Sequence, residues 1–227
     1  MTDGPAIAVV DYGMGNRRSV QKALEHVGAR ALITRNQADL SAADALVVPG
    51  VGAFPQGMAN LIALGLDEQI RAAAHSGKPV LGICLGMQLL FDRSQEHELT
   101  DGLGLIPGEV SRLRSDGLRI PHIGWNEVTI ERASALTADL GAWPRPFYHV
   151  HSLVARPQDP GDVVGTTVYG ERFTSIVARD NVLGVQFHPE KSSQDGLRLL
   201  RSFTAICRTG PIAGVTGSAG WAGSVAP

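Results

Sequence analysis

A chain of 227 residues is long enough for one large α/β domain or two small ones, and 44% hydrophobic with 19% charged residues excludes wholesale disorder. The formal net charge of −2 offers no electrostatic footprint for nucleic acid or an anionic membrane, and no apolar run approaches the ~18 residues of a membrane span. Met1 to Pro5 lacks the basic, apolar and cleavage regions of a signal peptide, and two cysteines are too few for a disulfide framework, so the chain is expected to be cytoplasmic.

Ala6 to Val10 is a continuous apolar run of strand length, the pattern of a strand covered on both faces in a parallel sheet. Asp11-Tyr-Gly-Met-Gly-Asn16 makes a loop, and Val20, Ala23, Leu24 and Val27 then recur at helical spacing until Gly28 stops the helix. Ala31 to Thr34 and Ala45 to Val48 read as the next two strands, with a short polar segment between them. The loop Pro49-Gly-Val-Gly-Ala-Phe-Pro55 follows, and its glycines allow consecutive N–H groups to form an anion-binding nest. A helical stretch from Gly57 to His75, broken near Gly65, leads to a fourth strand. This alternation predicts a doubly wound, mostly parallel α/β sheet, with ligands at the carboxyl ends of its strands.

The fourth strand runs through Pro79-Val-Leu-Gly-Ile-Cys-Leu-Gly-Met-Gln-Leu-Leu90 into a helix, with Cys84 at the bend and Gly82 and Gly86 two residues to either side. This is the spacing of a nucleophile elbow, in which a strained turn leaves no room for neighbouring Cβ atoms and thrusts the nucleophile out of the sheet. The helix start near Leu85 presents orphan N–H groups that favour a thiolate and can receive an oxyanion. An inert buried cysteine is the plain alternative.

Beyond Phe91 the chain turns to short β-rich pieces: Val110 to Leu113, Ile123 to Ile130, Phe147 to Val154, Val163 to Tyr169, Thr174 to Ala178 and Val182 to Phe187. A closing amphipathic helix spans Gln194 to Cys207, where Cys207 packs as a small hydrophobe. Residues 1–209 are read as one domain and residues 210–227 as a flexible tail rich in Gly, Ala and Ser.

A thiol nucleophile needs a base. His188, in Val185-Gln-Phe-His-Pro-Glu190, follows an apolar strand and precedes a proline that fixes its backbone, and Glu190 stands two residues on to orient the ring. Without Cys84 the same residues would read as a surface loop. His149 and His151 alternate on one face of a strand, as a metal pair would, but no third ligand accompanies them at sensible spacing, so neither a metal nor a cofactor is expected. His26, His75 and His97 read as surface residues.

Gly82-Ile-Cys-Leu-Gly-Met-Gln-Leu89 together with His188-Pro-Glu190 resembles the triad class of glutamine amidotransferases, and the likeness spans residues 6 to 207. Asp11 to Asn16 with Pro49 to Gly52, and Pro121-His-Ile-Gly-Trp-Asn126, resemble one branch, the glutaminase subunits of imidazole glycerol phosphate synthase. His149 and Leu153 stand where that family would have aromatic residues. The resemblance implies glutamine as substrate, Cys84 as nucleophile, His188 as base and Glu190 as orienter. It implies an oxyanion hole from Val51, Gly52 and Leu85, and contacts to glutamine from Gly52, Gln88 and Ser152. It further implies a heterodimer with a barrel-type cyclase subunit in histidine biosynthesis, reached through Trp125, Asn126 and Asn16, with ammonia passing between the chains. The competing readings are a glutaminase for vitamin B6 or anthranilate synthesis, a peptide-directed thiol hydrolase, and a non-catalytic cysteine sensor or binding module on the same fold.

Overall fold

The computed structural model describes residues 4–141 and 144–208; the expected tail from Gly210 lies outside them. In chain order the elements are β1 (Ala6–Val10), α1 (Arg17–His26), β2 (Arg30–Thr34), α2 (Gln37–Ala42), β3 (Ala45–Gly50), α3 (Phe54–Ala63), α4 (Leu66–His75), β4 (Val80–Cys84), α5 (Leu85–Leu89), β5 (Phe91–Ser94), β6 (Thr100–Asp101), β7 (Ile106–Arg112), β8 (His122–Ile130), β9 (Arg145–His151), β10 (Leu153–Pro157), β11 (Val163–Tyr169), β12 (Glu171–Arg179), β13 (Val182–Val185) and α6 (Ser193–Arg208).

Five parallel strands in the order β2-β1-β3-β4-β13 form the centre. The sheet continues antiparallel through β12, β10 and β7, and β5 and β6 close that edge. A second branch leaves β12 through β11 and β8 to β9. The apolar runs of the central strands are explained by their two covered faces. Ile7, Val9 and Val47 join one core with Val20 and Leu24 of α1 and Leu199 and Phe203 of α6. Ala8, Val10, Leu46 and Val48 join the other with Met58, Leu61, Leu66 and Ile70 of α3 and α4. Successive side chains of one strand feed opposite cores, so the strand has no polar face to show.

The α/β, doubly wound architecture agrees with the sequence reading, and several boundaries do not. The polar segment before β3 contains α2, whose first turn is capped by Asn36 Oδ1 accepting from Ala38 N at 2.8 Å. The single strand read over Phe147 to Val154 breaks at Ser152 into β9 and β10, because the two halves pair with different partners, β8 and β7. β5 and β6 have no counterpart in the sequence reading; both are short, and the two middle residues of β5 are exposed. Cys207 lies buried in α6 with its thiol donating to Phe203 O at 3.1 Å, and burial pushes that thiol up to about 12.

Candidate active site

Cys84 is the last residue of β4 and adopts φ 55°, ψ −113°, a conformation that costs a non-glycine residue roughly 1–3 kcal/mol. Its neighbours must be glycine. A methyl group at Gly82 would lie 2.6 Å from Gly86 O and Met87 N, and one at Gly86 would lie 1.7 Å from Val48 O. The missing side chains let α5 settle directly on β3 and β4, so the elbow is closed by backbone contact. The thiol donates to Val150 O at 3.9 Å and accepts from Gln186 Nε2 at 3.8 Å.

His188 leaves the sheet just past β13. Its backbone N–H donates to Tyr148 O at 2.9 Å, while Ser192 Oγ donates to His188 O at 2.6 Å and accepts from Tyr148 N at 2.9 Å, fastening the turn to β9. Nδ1 lies 2.8 Å from Glu190 Oε1, and both side chains are shut off from solvent. Because a carboxylate only accepts, the proton sits on Nδ1. Nε2 then has no hydrogen-bond partner of normal geometry among the described residues. Burial opposes charge on this ring, but its interactions with Cys84 and Glu190 outweigh that cost and push His188 up to about 10. Asn16 stands at the N-cap position of α1 yet makes no capping bond; its amide donates instead to Glu190 Oε1 at 3.5 Å.

A cleft of about 250 Å³ opens beside the thiol, lined among others by Val51, Gly52, Leu85, Gln88, Glu96 and Ser152. The register brings Gly50 opposite Cys84, so Val51 and Gly52, at φ 121°, follow directly beyond Cys84. Tyr12 Oη donates to Pro49 O at 2.6 Å and holds the base of that loop; burial, with Cys84 nearby, pushes its phenol up. Gln88 is buried rather than on a helix surface, and its Nε2 donates to Leu153 O at 3.2 Å and to Gln186 Oε1 at 3.0 Å. Two residues here carried no sequence signal. Gln186 is fully buried and links Gln88 to the thiol. Glu96, on a loop distant in the chain, reaches the cleft and accepts from Phe54 N at 2.6 Å.

A family model described as "Glutamine amidotransferase class-I" matches residues 8–206. The chain belongs to that family. Class-I glutamine amidotransferases hydrolyse glutamine, and the relatives narrow the branch. The chain is 48% identical over 202 residues to imidazole glycerol phosphate synthase subunit HisH of Moorella thermoacetica, covering 89% of this chain and 95% of that one. It is 49% identical over 208 residues to the same subunit of Thermosynechococcus vestitus, covering 90% and 98%. The fold is that of a solved glutamine amidotransferase (TM-score 0.69, 22% identity, 88% and 98% covered) and of PurLQS from Thermotoga maritima (TM-score 0.69, 22%, 89% and 99%).

On this class-I glutamine amidotransferase, Trp125 is 54% exposed, which rules out an ordinary core tryptophan. Its ring meets Tyr148 edge-on at 6.3 Å, and Ile123 beside it is 59% exposed. Ile123 pairs with Val150, which lines the cleft, so the apolar face of the β8–β9 hairpin runs towards the cleft mouth. Asn126 bonds within the chain: Nδ2 donates to Val168 O at 3.0 Å, and Oδ1 accepts from Glu127 N at 2.8 Å. No helix among the described residues is long and apolar enough to cross a membrane.

His26, His75 and His97 are exposed, as expected. The expectation that His149 and His151 lack a third imidazole fails. β8 pairs His122 directly with His151, and ligand atoms of His122, His149 and His151 lie within 4.8 Å of one another. Burial lowers all three rings, His122 to about 4, His151 to about 3 and His149 well below the usual histidine range, with their mutual repulsion adding for His149 and His151. His149 fills its expected aromatic position as a ring, edge-on to Phe173 and Phe187 at 5.9 and 5.7 Å.

Proposed function

We propose that this chain is the glutaminase subunit of an imidazole glycerol phosphate synthase, using Cys84, His188 and Glu190 to release ammonia for a barrel-type cyclase partner in histidine biosynthesis. The observation that carries the reading is near-full-length identity of 48–49% to HisH subunits. In the reactive form the Cys84 proton has passed to His188 Nε2, leaving a thiolate beside the protonated ring. The thiolate attacks the side-chain carbonyl carbon of glutamine. The resulting oxyanion is met by main-chain N–H groups of Leu85 and of the Val51–Gly52 turn. His188 gives its Nε2 proton to the departing nitrogen, the C–N bond breaks, and ammonia leaves a glutamyl thioester. Water then yields a proton to His188 and attacks the thioester; the C–S bond breaks, releasing glutamate and restoring the thiolate. Glu190 keeps the proton on Nδ1, so Nε2 always faces the chemistry.

Gly52, Gln88 and Ser152 hold the amino-acid part of glutamine. Glu96 is the only carboxylate among the described residues lining the cleft, and it is the counter-charge for the substrate ammonium. Trp125 faces the partner from the exposed face of β8, where the cyclase docks with Asn126 and Asn16 in supporting positions, so that ammonia passes from the cleft before bulk water protonates it. Residues 1–209 form the amidotransferase domain, with residues 210–227 as its C-terminal tail.

The test is Cys84→Ser assayed with the cyclase subunit. Glutamate release falls to background while ammonia added to the solution still supports the synthase reaction; Cys207→Ser changes neither. Glutamine-dependent product formation by Cys84→Ser would overturn the assignment, and partnership with a different synthase would overturn the branch.

A further inference from the structure

Behind the cleft wall three imidazoles converge, and hydrogen bonding satisfies His122 and His151 but not His149. His151 Nδ1 lies 3.0 Å from Leu153 O, and a carbonyl only accepts, so neutral His151 carries its proton on Nδ1 and leaves a bare lone pair on Nε2. That single lone pair faces two ring nitrogens, His122 Nδ1 at 3.2 Å and His149 Nδ1 at 3.3 Å. It serves one N–H donor, not two. With His122 donating to it, His149 Nδ1 is the nitrogen left over, in a ring that is fully buried. A buried polar group left in this state costs about 1–3 kcal/mol, so the arrangement needs a reason.

The spacing supplies one. Nitrogens bound to a tetrahedral zinc at ~2.0–2.1 Å stand about 3.3–3.4 Å apart; the two pairs made by His151 Nε2 are at 3.2 and 3.3 Å, and all three donors lie within 4.8 Å of one another. The carbonyl of Leu153 already performs the outer-shell task of a metal-binding histidine, fixing tautomer and ring direction from the far nitrogen. His151 also lines the glutamine cleft, which gives an ion a way in. All three donors are imidazoles, a set that suits zinc, cobalt, nickel and copper rather than magnesium or calcium.

We propose that His122 Nδ1, His149 Nδ1 and His151 Nε2 form a three-histidine site for a zinc-class divalent cation, with the fourth position turned to the cleft and filled by water. Bound there, the ion ties β8 to β9 and holds His151, the neighbour of Ser152, against the cleft wall. Two features oppose it: with Nδ1 ligating, His149 Nε2–H stays buried without a partner among the described residues, and the Asn126 side chain is the other. Ligation through Nδ1 puts a proton on His122 Nε2, and the nearest group to that atom is Asn126 Nδ2, itself a donor, at 3.3 Å. The amide must turn for the ion to bind, which gives up its bonds to Val168 O and Glu127 N. A carboxylate at that position would accept the proton without turning.

The experiment titrates the full chain, without a histidine tag and stripped of metal by a chelator, with cobalt(II) followed by visible ligand-field absorption and with zinc(II) against a competing chelator. The expected result is one equivalent bound with the intense absorption of four-coordinate cobalt. His149→Phe keeps the aromatic packing and removes one donor; it is expected to lose more than about 100-fold in affinity, beyond the 10–100-fold typical for an outer-shell partner. Asn126→Asp is expected to bind ~10-fold or more tightly than wild type, and it tests the site even if His149→Phe does not fold. The site is refuted if cobalt gives no four-coordinate spectrum, if folded His149→Phe binds as wild type does, or if Asn126→Asp binds no tighter.

Discussion

Cys84 and His188, the proposed reacting pair, are held by opposite means. Cys84 is fixed by sterics: backbone touches backbone across Gly82 and Gly86, and among the described residues no hydrogen bond shorter than 3.8 Å reaches the thiol. His188 is fixed by polar contacts, with Glu190 and Asn16 on its ring side and Tyr148 and Ser192 on its backbone. Steric closure is all or none, because an added methyl must move a strand. Polar closure is graded, because each bond contributes only about 1 kcal/mol, and it is open to influence from whatever touches β9. Cys84 is therefore the rigid member of the pair and His188 the adjustable one.

Breaking the steric side should have the largest effect. In Gly86→Ala the new methyl meets Val48 O at 1.7 Å in the middle of the sheet, and β3 must shift to admit it. We expect destabilisation of more than ~3 kcal/mol, at the upper end for overpacking, together with loss of glutaminase activity. Chemical denaturation and glutamate release measure the two. A folded, active Gly86→Ala would show that the elbow is not closed by contact.

Glu190→Gln attacks the polar side and should leave the fold intact. An amide in place of the orienting carboxylate no longer fixes the proton on Nδ1, and kcat should fall by ~10²–10⁴-fold, the upper figure being the loss for the equivalent change in a serine protease triad. The pH dependence sharpens this. His188 rises from an ordinary 6.5 to about 10 on folding, so the native state binds the extra proton over that interval. The resulting stabilisation is fully present below pH 6.5 and is lost as pH rises through about 10. Removing the carboxylate takes away one of the two interactions that raise the ring, so in Glu190→Gln the loss should begin at lower pH. Thermal melts between pH 6 and 10 would reveal it; coincident curves would mean that Cys84 alone sets the shift.

What is legible in the sequence follows the same division. The elbow is readable because its determinants lie within five residues, and the strand before His188 and the Pro-Glu pair after it fix that residue locally. The two-sided burial of β1 and β3 leaves continuous apolar runs that can be read directly. The cleft is harder, since Gln186 acts through Gln88, almost a hundred positions away, and Glu96 reaches Phe54 from a loop without periodicity. The three-histidine cluster escapes a sequence reading for a related reason. His149 and His151 declare a shared face by alternation, but His122 joins them only through the register of β8 on β9. Cross-strand register is a property of the folded sheet, set by packing on both strands, and one strand's residues do not announce it.

Trp125→Ala probes how the partner reaches the adjustable side. Its ring rests edge-on against Tyr148, whose backbone carries bonds to both His188 and Ser192. In the proposed complex, a partner pressing on Trp125 would press on the support of His188 and not on the elbow. Truncation should cost the complex ~2 kcal/mol, the range of interface hot spots, while glutamine turnover by the free chain stays as it was. Calorimetric titration with the cyclase measures the first and glutamate release the second. Unchanged affinity would remove Trp125 from the interface.

The smallest effect is the most selective. Asn16 occupies the N-cap of α1, a position where its amide would ordinarily bond the first turn, yet the side chain turns to Glu190 instead. The helix has given up a cap to support the site. The shorter hydroxyl side chain of an Asn16→Ser variant cannot reach Glu190, but serine is among the best N-cap residues, so α1 should gain a bond while the triad loses one. At 3.5 Å the lost contact is a long one, and we expect kcat to fall only about three- to tenfold, the equivalent of about 1 kcal/mol. The melting temperature should hold or rise by a degree or more, since capping contributes ~0.5–2 kcal/mol. Stability and activity would then move in opposite directions from one substitution, which a purely structural role for Asn16 does not permit. If both fell together, Asn16 would be serving the helix after all, and the polar support of the base would rest on Glu190, Tyr148 and Ser192 alone.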